Sequence, residues 1–130
     1  MKTKIPLPIL LFSGFLVLFG VYVTFSAFTN PSAVVTGFVA DTAANQLMQG
    51  MWASRILSMV VVLGAALLLR SPNLLALALL MRLVTEVFDT LALVNTGGFS
   101  AMTVVLLVIA ALELACIVWL VQLQRSAQPQ

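Results

Sequence analysis

Apolar residues fill four long stretches of this chain, and polar residues gather in the short gaps between them. The stretches run from about Ile5 to Phe28, Met51 to Leu69, Asn73 to Val94 and Ala101 to Leu123. Each is close to the roughly 20 residues that a helix needs to cross a bilayer core. Backbone groups in lipid must be satisfied within the segment, which a helix does. Punctuation residues agree with these limits. Pro6 and Pro8 suit a first helical turn, where a missing N–H costs little, and Asn30-Pro31 ends the first stretch. Ser71-Pro72 reads as a cap and first turn, and Gly97-Gly98 followed by Ser100 reads as a turn and cap. The pattern predicts an all-α fold: one domain over residues 1–130, an integral membrane four-helix bundle running up-down-up-down.

One connection is long, from Pro31 to Gly50. Phe38, Val39, Ala43, Leu47, Met48 and Met51 recur there at near-helical spacing, with Asp41 available as an N-cap. This predicts a short interfacial helix or a forward extension of the second span, either of which would lid the outer mouth of the bundle. The start, Met1-Lys-Thr-Lys before an apolar run, has the order of a secretory signal. Its apolar stretch exceeds the usual signal core of roughly 7–15 residues, so a retained span is expected. No internal repeat is visible, so an inverted-repeat transporter within one chain is not supported.

Composition narrows the class. Of 130 residues, 62% are hydrophobic and 8% charged, against about a quarter charged in soluble domains. That excludes a soluble enzyme, a DNA-binding module and a disordered chain. The net charge of +2 rests on ten charged side chains and implies no nucleic-acid partner. Without histidine there is no His-ligated haem, copper or zinc site, and the single Cys116 forms no internal disulfide. No cofactor or metal is expected.

Charge placement orients the spans. Lys2, Lys4, Arg70 and Arg125 would share one side after four crossings, while Thr29–Gly50 and Asn95–Ser100 contain no Lys or Arg. The positive-inside rule puts both termini in the cytoplasm of a cell whose inner membrane holds the bundle. Trp52 and Trp119 fall near opposite interfaces.

Five charges lie inside the predicted spans: Arg55 in the second, Arg82, Glu86 and Asp89 in the third, and Glu113 in the fourth. Each costs about 2.5–3.5 kcal/mol at a span centre, so they should turn inward and find partners. At about 100° per residue, Arg82, Glu86 and Asp89 share one face of the third helix, continued by Leu75, Ala78 and Leu93. Ranking by depth puts Arg55 and Asp89 roughly 8 Å toward the outer side, and Arg82, Glu86 and Glu113 near the midplane. Two layers are therefore expected, Arg55 with Asp89 and Arg82 with Glu86 and Glu113. Two arginines face three carboxylates, and the odd one, Glu113 or Glu86, is disfavoured in its charged form by burial.

Three functions fit such a cluster. It can be structural glue in an accessory or assembly subunit, since breaking a buried pair is costly. It can be a binding or transport site, with Arg55, Arg82, Glu86, Asp89 and Glu113 as ligand-binding residues for an ion, a proton or an apolar or amphiphilic small molecule. A proton-coupled transporter of this size would need a homo-oligomer. It can also be an intramembrane acid–base enzyme, an isomerase, cyclase or hydrolase acting on an apolar substrate, with Glu86, Asp89 and Glu113 as candidate catalytic groups. No nucleophile triad, metal motif or phosphate loop accompanies them. Cys116, one turn from Glu113, and the methionines, including Met59, read as packing, and Ala111 with Ala115 as a small-xxx-small helix contact.

The order of parts from Asn30-Pro31 through Trp52-Ala-Ser-Arg55, Arg70-Ser-Pro-Asn73, the acidic third span (Arg82, Glu86, Asp89) and Gly97-Gly98 resembles small bacterial four-span proteins of the DoxX-like kind. The resemblance covers most of the chain and implies a four-helix membrane fold with membrane-complex or redox partners. Arg55 and Asp89 are the positions matched to it, and no catalytic residue is carried over. Arg82 and Glu113 are particular to this sequence.

Overall fold

The computed structural model describes residues 5–33, 39, 41–97, 99 and 101–126. Among them are four α-helices and no strand: α1 (Leu7–Thr29), α2 (Ala43–Leu68), α3 (Pro72–Gly97) and α4 (Ala101–Ser126), with a 3-10 turn at Pro31–Ala33. Lys2, Lys4, Phe38, Gly98 and Ser100, to which the linear reading assigned topology, loop, turn and cap roles, lie outside the described residues. Three segments are long and apolar enough to cross a membrane: α1, α2 and Thr103–Ser126 of α4. α3 has similar length but carries Arg82, Glu86 and Asp89.

The helix ends follow local chemistry. Pro6 caps α1 and Pro8 falls in its first turn; at the far end the Asn30 N–H donates to the Ser26 carbonyl at 2.8 Å. α2 begins eight residues before the apolar run at Met51, so the loop segment is a forward extension and not a separate helix. Ala, Gln, Leu and Met over this stretch are good helix formers. Its cap is Thr42 and not Asp41. The Thr42 hydroxyl accepts the Asn45 N–H at 3.2 Å, while Asp41 accepts from the Asn45 side-chain amide at 2.9 Å. Along this extension Leu47, Met48 and Met51 are exposed, as is Val39 before it. The extension is tied down by Gln49, whose amide donates to the Ala27 carbonyl of α1.

The α2–α3 turn is a Schellman closure. The Arg70 N–H donates to Leu67 at 3.1 Å and the Ser71 N–H to Ala66 at 3.3 Å, which satisfies carbonyls that the helix end would orphan. The closure needs a left-handed residue, and Arg70 supplies it at φ 47° where glycine is usual. Ser71 then accepts the Leu74 N–H at 3.4 Å and Pro72 opens α3, as the Ser-Pro signal predicted. Replacing Arg70 with glycine is expected to stabilise the fold by about 1 kcal/mol, the cost of a side chain in this conformation. An SDS titration followed by helicity checks this, and no gain would mean that the turn carries no strain.

Each helix packs on the next, α1 on α2, α2 on α3 and α3 on α4. A shared core joins all four through Ile9 and Leu16, Leu63 and Ala66, Leu75, Ala78 and Leu79, and Ile109 and Leu120. α1 and α2 approach closely at Gly20, where an added methyl group would stand 2.4 Å from Val60 Cγ2. Ala111 and Ala115 are exposed and do not form the small-residue contact expected of them; Ala110, one residue away, is the buried one. That single-residue displacement turns the stripe by about 100°. The outer faces are apolar, with Leu11, Leu18 and Phe25 on α1, Leu77, Met81 and Phe88 on α3, and Val104 and Val108 on α4.

Candidate functional site

α3 presents one stripe to the core: Leu75, Ala78, Leu79, Arg82, Glu86 and Thr90 are all buried. The spacing of three and four residues keeps them on one side of the helix. Arg82 and Glu86 are one turn apart, and the Arg82 Nη2 group donates to Glu86 Oε1. Its Nε donates across the helix interface to Glu113 Oε1 at 2.5 Å. A guanidinium holds its N–H groups in a planar fork, so one arginine can serve carboxylates on two helices at once. Thr90 donates its hydroxyl to the Glu86 carbonyl at 2.7 Å, which keeps the hydroxyl satisfied on the helix's own backbone.

Glu113 is fully buried, and its second oxygen, Oε2, has no hydrogen-bond partner. Cys116, one turn further along α4, is a free, half-buried thiol packed against the core. The linear reading takes it as packing, and its contacts agree. Arg82 stands where a cation would lie between Glu86 and Glu113. Among the described residues no three His, Cys, Asp or Glu side chains converge as metal ligands do.

The second pair joins α2 to α3. Arg55 Nη2 donates to both Asp89 oxygens, at 2.7 and 2.9 Å. The same two pairings that spacing and depth predict are therefore brought together, but their surroundings differ. The Arg55 and Asp89 side chains are 42% and 33% exposed, so this pair does not turn inward as expected. Depth does not account for it: counted from the α2–α3 turn, Arg55 lies about 21 Å up α2 and Asp89 about 27 Å up α3, so Arg55 is level with the buried Glu86 at about 22 Å. The difference is one of helix rotation, which leaves this pair half-exposed beside the α2–α3 contact. Arg82 and Glu86 lie about 16 and 22 Å up α3, and Glu113 falls between them when counted down from the other end.

A half-exposed pair should contribute little. A double-mutant cycle on Arg55→Ala and Asp89→Ala is expected to give a coupling of about 0.2–1 kcal/mol. A double variant no milder than the sum of the singles would rule the pairing out.

The linear reading did not single out Ser13. It is fully buried on α1 and its hydroxyl is unpartnered, whereas Thr24, Ser54, Ser58, Thr85 and Thr90 all donate to the carbonyl four residues back. Its signal was positional: Ser13 sits between Ile9 and Leu16 on the stripe that faces the core.

Comparison with protein-family models, curated proteins and solved structures gives no match for this chain.

Proposed function

We propose that this chain is a small integral membrane protein of the cell's inner membrane, crossing four times up-down-up-down with both termini cytoplasmic, and that it binds a ligand or partner at the interior Arg82, Glu86 and Glu113 cluster. The membrane reading is supported by three span-length apolar helices and by outer faces rich in Leu, Val, Met and Phe. Monomeric soluble proteins rarely expose contiguous apolar area on that scale. The orientation is supported by Arg70 in the α2–α3 turn and Arg125 in the last turn of α4, which are the same end of the bundle under this topology.

The observation that carries the site reading is Glu113. A cluster serving only to pin helices would satisfy its acceptors, because an unpaired buried oxygen costs about 1–3 kcal/mol. Here one carboxylate oxygen is held by Arg82 and the other is left open in the core. Intramembrane ionisable residues of this kind mark pathways and binding sites.

Glu113→Gln tests it. The substitution preserves shape and one carbonyl acceptor for Arg82. Folded yield in mild detergent is expected to stay at the wild-type level, while a small molecule or partner that co-purifies with the wild type is lost, as read by mass spectrometry of the extract. Loss of folded protein together with an empty wild-type extract would assign the cluster to structure alone.

A further inference from the structure

We propose that the chain pairs with a second copy of itself through its α2–α3 face, with Arg55 of each copy set against Asp89 of the other. The inference goes beyond the interior-site reading and uses only its membrane placement.

Among the described residues, Arg55 and Asp89 are the charged side chains within the spans that stay half-exposed, while Arg82, Glu86 and Glu113 are buried. α2 and α3 are each 26 residues long. That is about 39 Å, so both overrun a bilayer core of about 30 Å. With the helices centred in that core, the pair lies roughly 8–14 Å below its outer edge. Acyl chains do not solvate a half-exposed ion pair at such depth, so a polar surface has to cover it.

The face around the pair suits another pair of helices. Met51, Arg55, Ser58 and Val62 recur on α2 at spacings of four, three and four, and Met81, Thr85 and Phe88 recur on α3 at four and three. Both stripes are exposed or half-exposed, and their spacing is the one by which helices seat side chains against each other. Ser58 and Thr85 donate their hydroxyls to the Ser54 and Met81 carbonyls at 2.8 and 3.0 Å. They place small, already satisfied side chains beside the charges, which admits close approach.

Charge order selects the occupant. Arg55 and Asp89 stand side by side on neighbouring helices, plus on α2 and minus on α3. A half-turn about an axis along the membrane normal exchanges left and right, so a facing copy sets minus against plus and plus against minus. The pair is complementary to itself, as a two-fold interface requires. Asp89 is held through the Nη2 group of Arg55. A guanidinium fork has further N–H groups, so it can hold a second carboxylate, as Arg82 does between Glu86 and Glu113. Two arginines and two aspartates then close a neutral ring between the copies. Within one chain the pair contributes little, and its larger effect falls on association.

Charge reversal in lipid vesicles tests this, with association of donor- and acceptor-labelled full-length chains read by energy transfer as added lipid dilutes them. The wild type should pair, and transfer at the level of random encounter overturns the proposal without any variant. Arg55→Asp gives a copy with two negative charges and Asp89→Arg a copy with two positive ones, so each alone should associate at least about tenfold more weakly. Mixing the two should restore association, because minus again faces plus. A mixture that associates no better than either variant alone overturns the pairing. If a reversed variant misfolds, the apolar double variant Arg55→Met with Asp89→Leu decides: association as strong as the wild type's removes both residues from the interface. A monomeric wild type that retains a lipid or another protein, released by that double variant, assigns the face to that partner instead. Chains stripped from the vesicles by alkaline carbonate would refute the membrane placement itself, a failure distinct from monomers that stay inserted.

Discussion

Replacing Arg82 with alanine should cost roughly 3–5 kcal/mol, the most damaging single change in the charged cluster, because it strands two buried carboxyl groups. Arg82 is the common partner of Glu86 and Glu113, and its side chain is 7% exposed. Water cannot take over either contact. Lysine should not restore the wild type, since one ammonium on a flexible stem lacks the planar fork that bonds two carboxylates through Nε and Nη2. The same truncation at Arg55 should cost at most about 1 kcal/mol, because that pair is half-exposed. A further comparison separates structure from function. Replacing Arg82, Glu86 and Glu113 together with Met and Leu of similar volume should recover most of the lost stability, as apolar substitutes for buried ion pairs commonly do. SDS titration followed by helicity measures all of these. A triple variant as unstable as Arg82→Ala would show that the fold itself requires the charges.

Gly20→Ala is the second large effect. Helices in lipid gain little from burying apolar area, so association depends on close packing and interhelical polar contacts. At Gly20 the added Cβ would meet Val60 Cγ2 at 2.4 Å. Val60 is buried and β-branched, with one strongly preferred rotamer in a helix, so it cannot swing aside cheaply. The α1–α2 interface should lose about 1–3 kcal/mol from overpacking. Val60→Ala removes the offending methyl group and leaves Val60 Cβ at 3.9 Å from the new Cβ, an ordinary contact. The double variant should therefore be more stable than Gly20→Ala alone. Strict additivity of the two changes would refute the clash.

Several features were legible along the chain because they depend on local chemistry. Four apolar stretches of span length, the prolines at Pro8 and Pro72 and the Asn30-Pro31 stop all locate helices through rules that act within a turn. Arg82 and Glu86 are neighbours by helical spacing alone, and depth counting across a short turn found Arg55 for Asp89 and Glu113 for Arg82. The start of α2 was less legible. Its first eight residues mix Ala, Asn, Gln, Leu and Met, and a search for lipid-compatible stretches begins only at Met51. Ala111 and Ala115 misled for another reason: small residues recur on every face of an apolar helix, and only packing chooses the face.

What the linear order of residues decided is the number of the apolar helices, the positions of most of their breaks, and which charges lie near one level. Those properties follow from rise per residue and from the solvation of each side chain. The tertiary structure alone decided that Arg82 is enclosed while Arg55 is half-exposed, that Gly20 admits Val60, and that Glu113 and Ser13 each keep an unpaired oxygen in the core. Enclosure and pairing depend on how each helix is rotated against its neighbours. That rotation is set by many side chains acting together, so no single stretch of the chain encodes it.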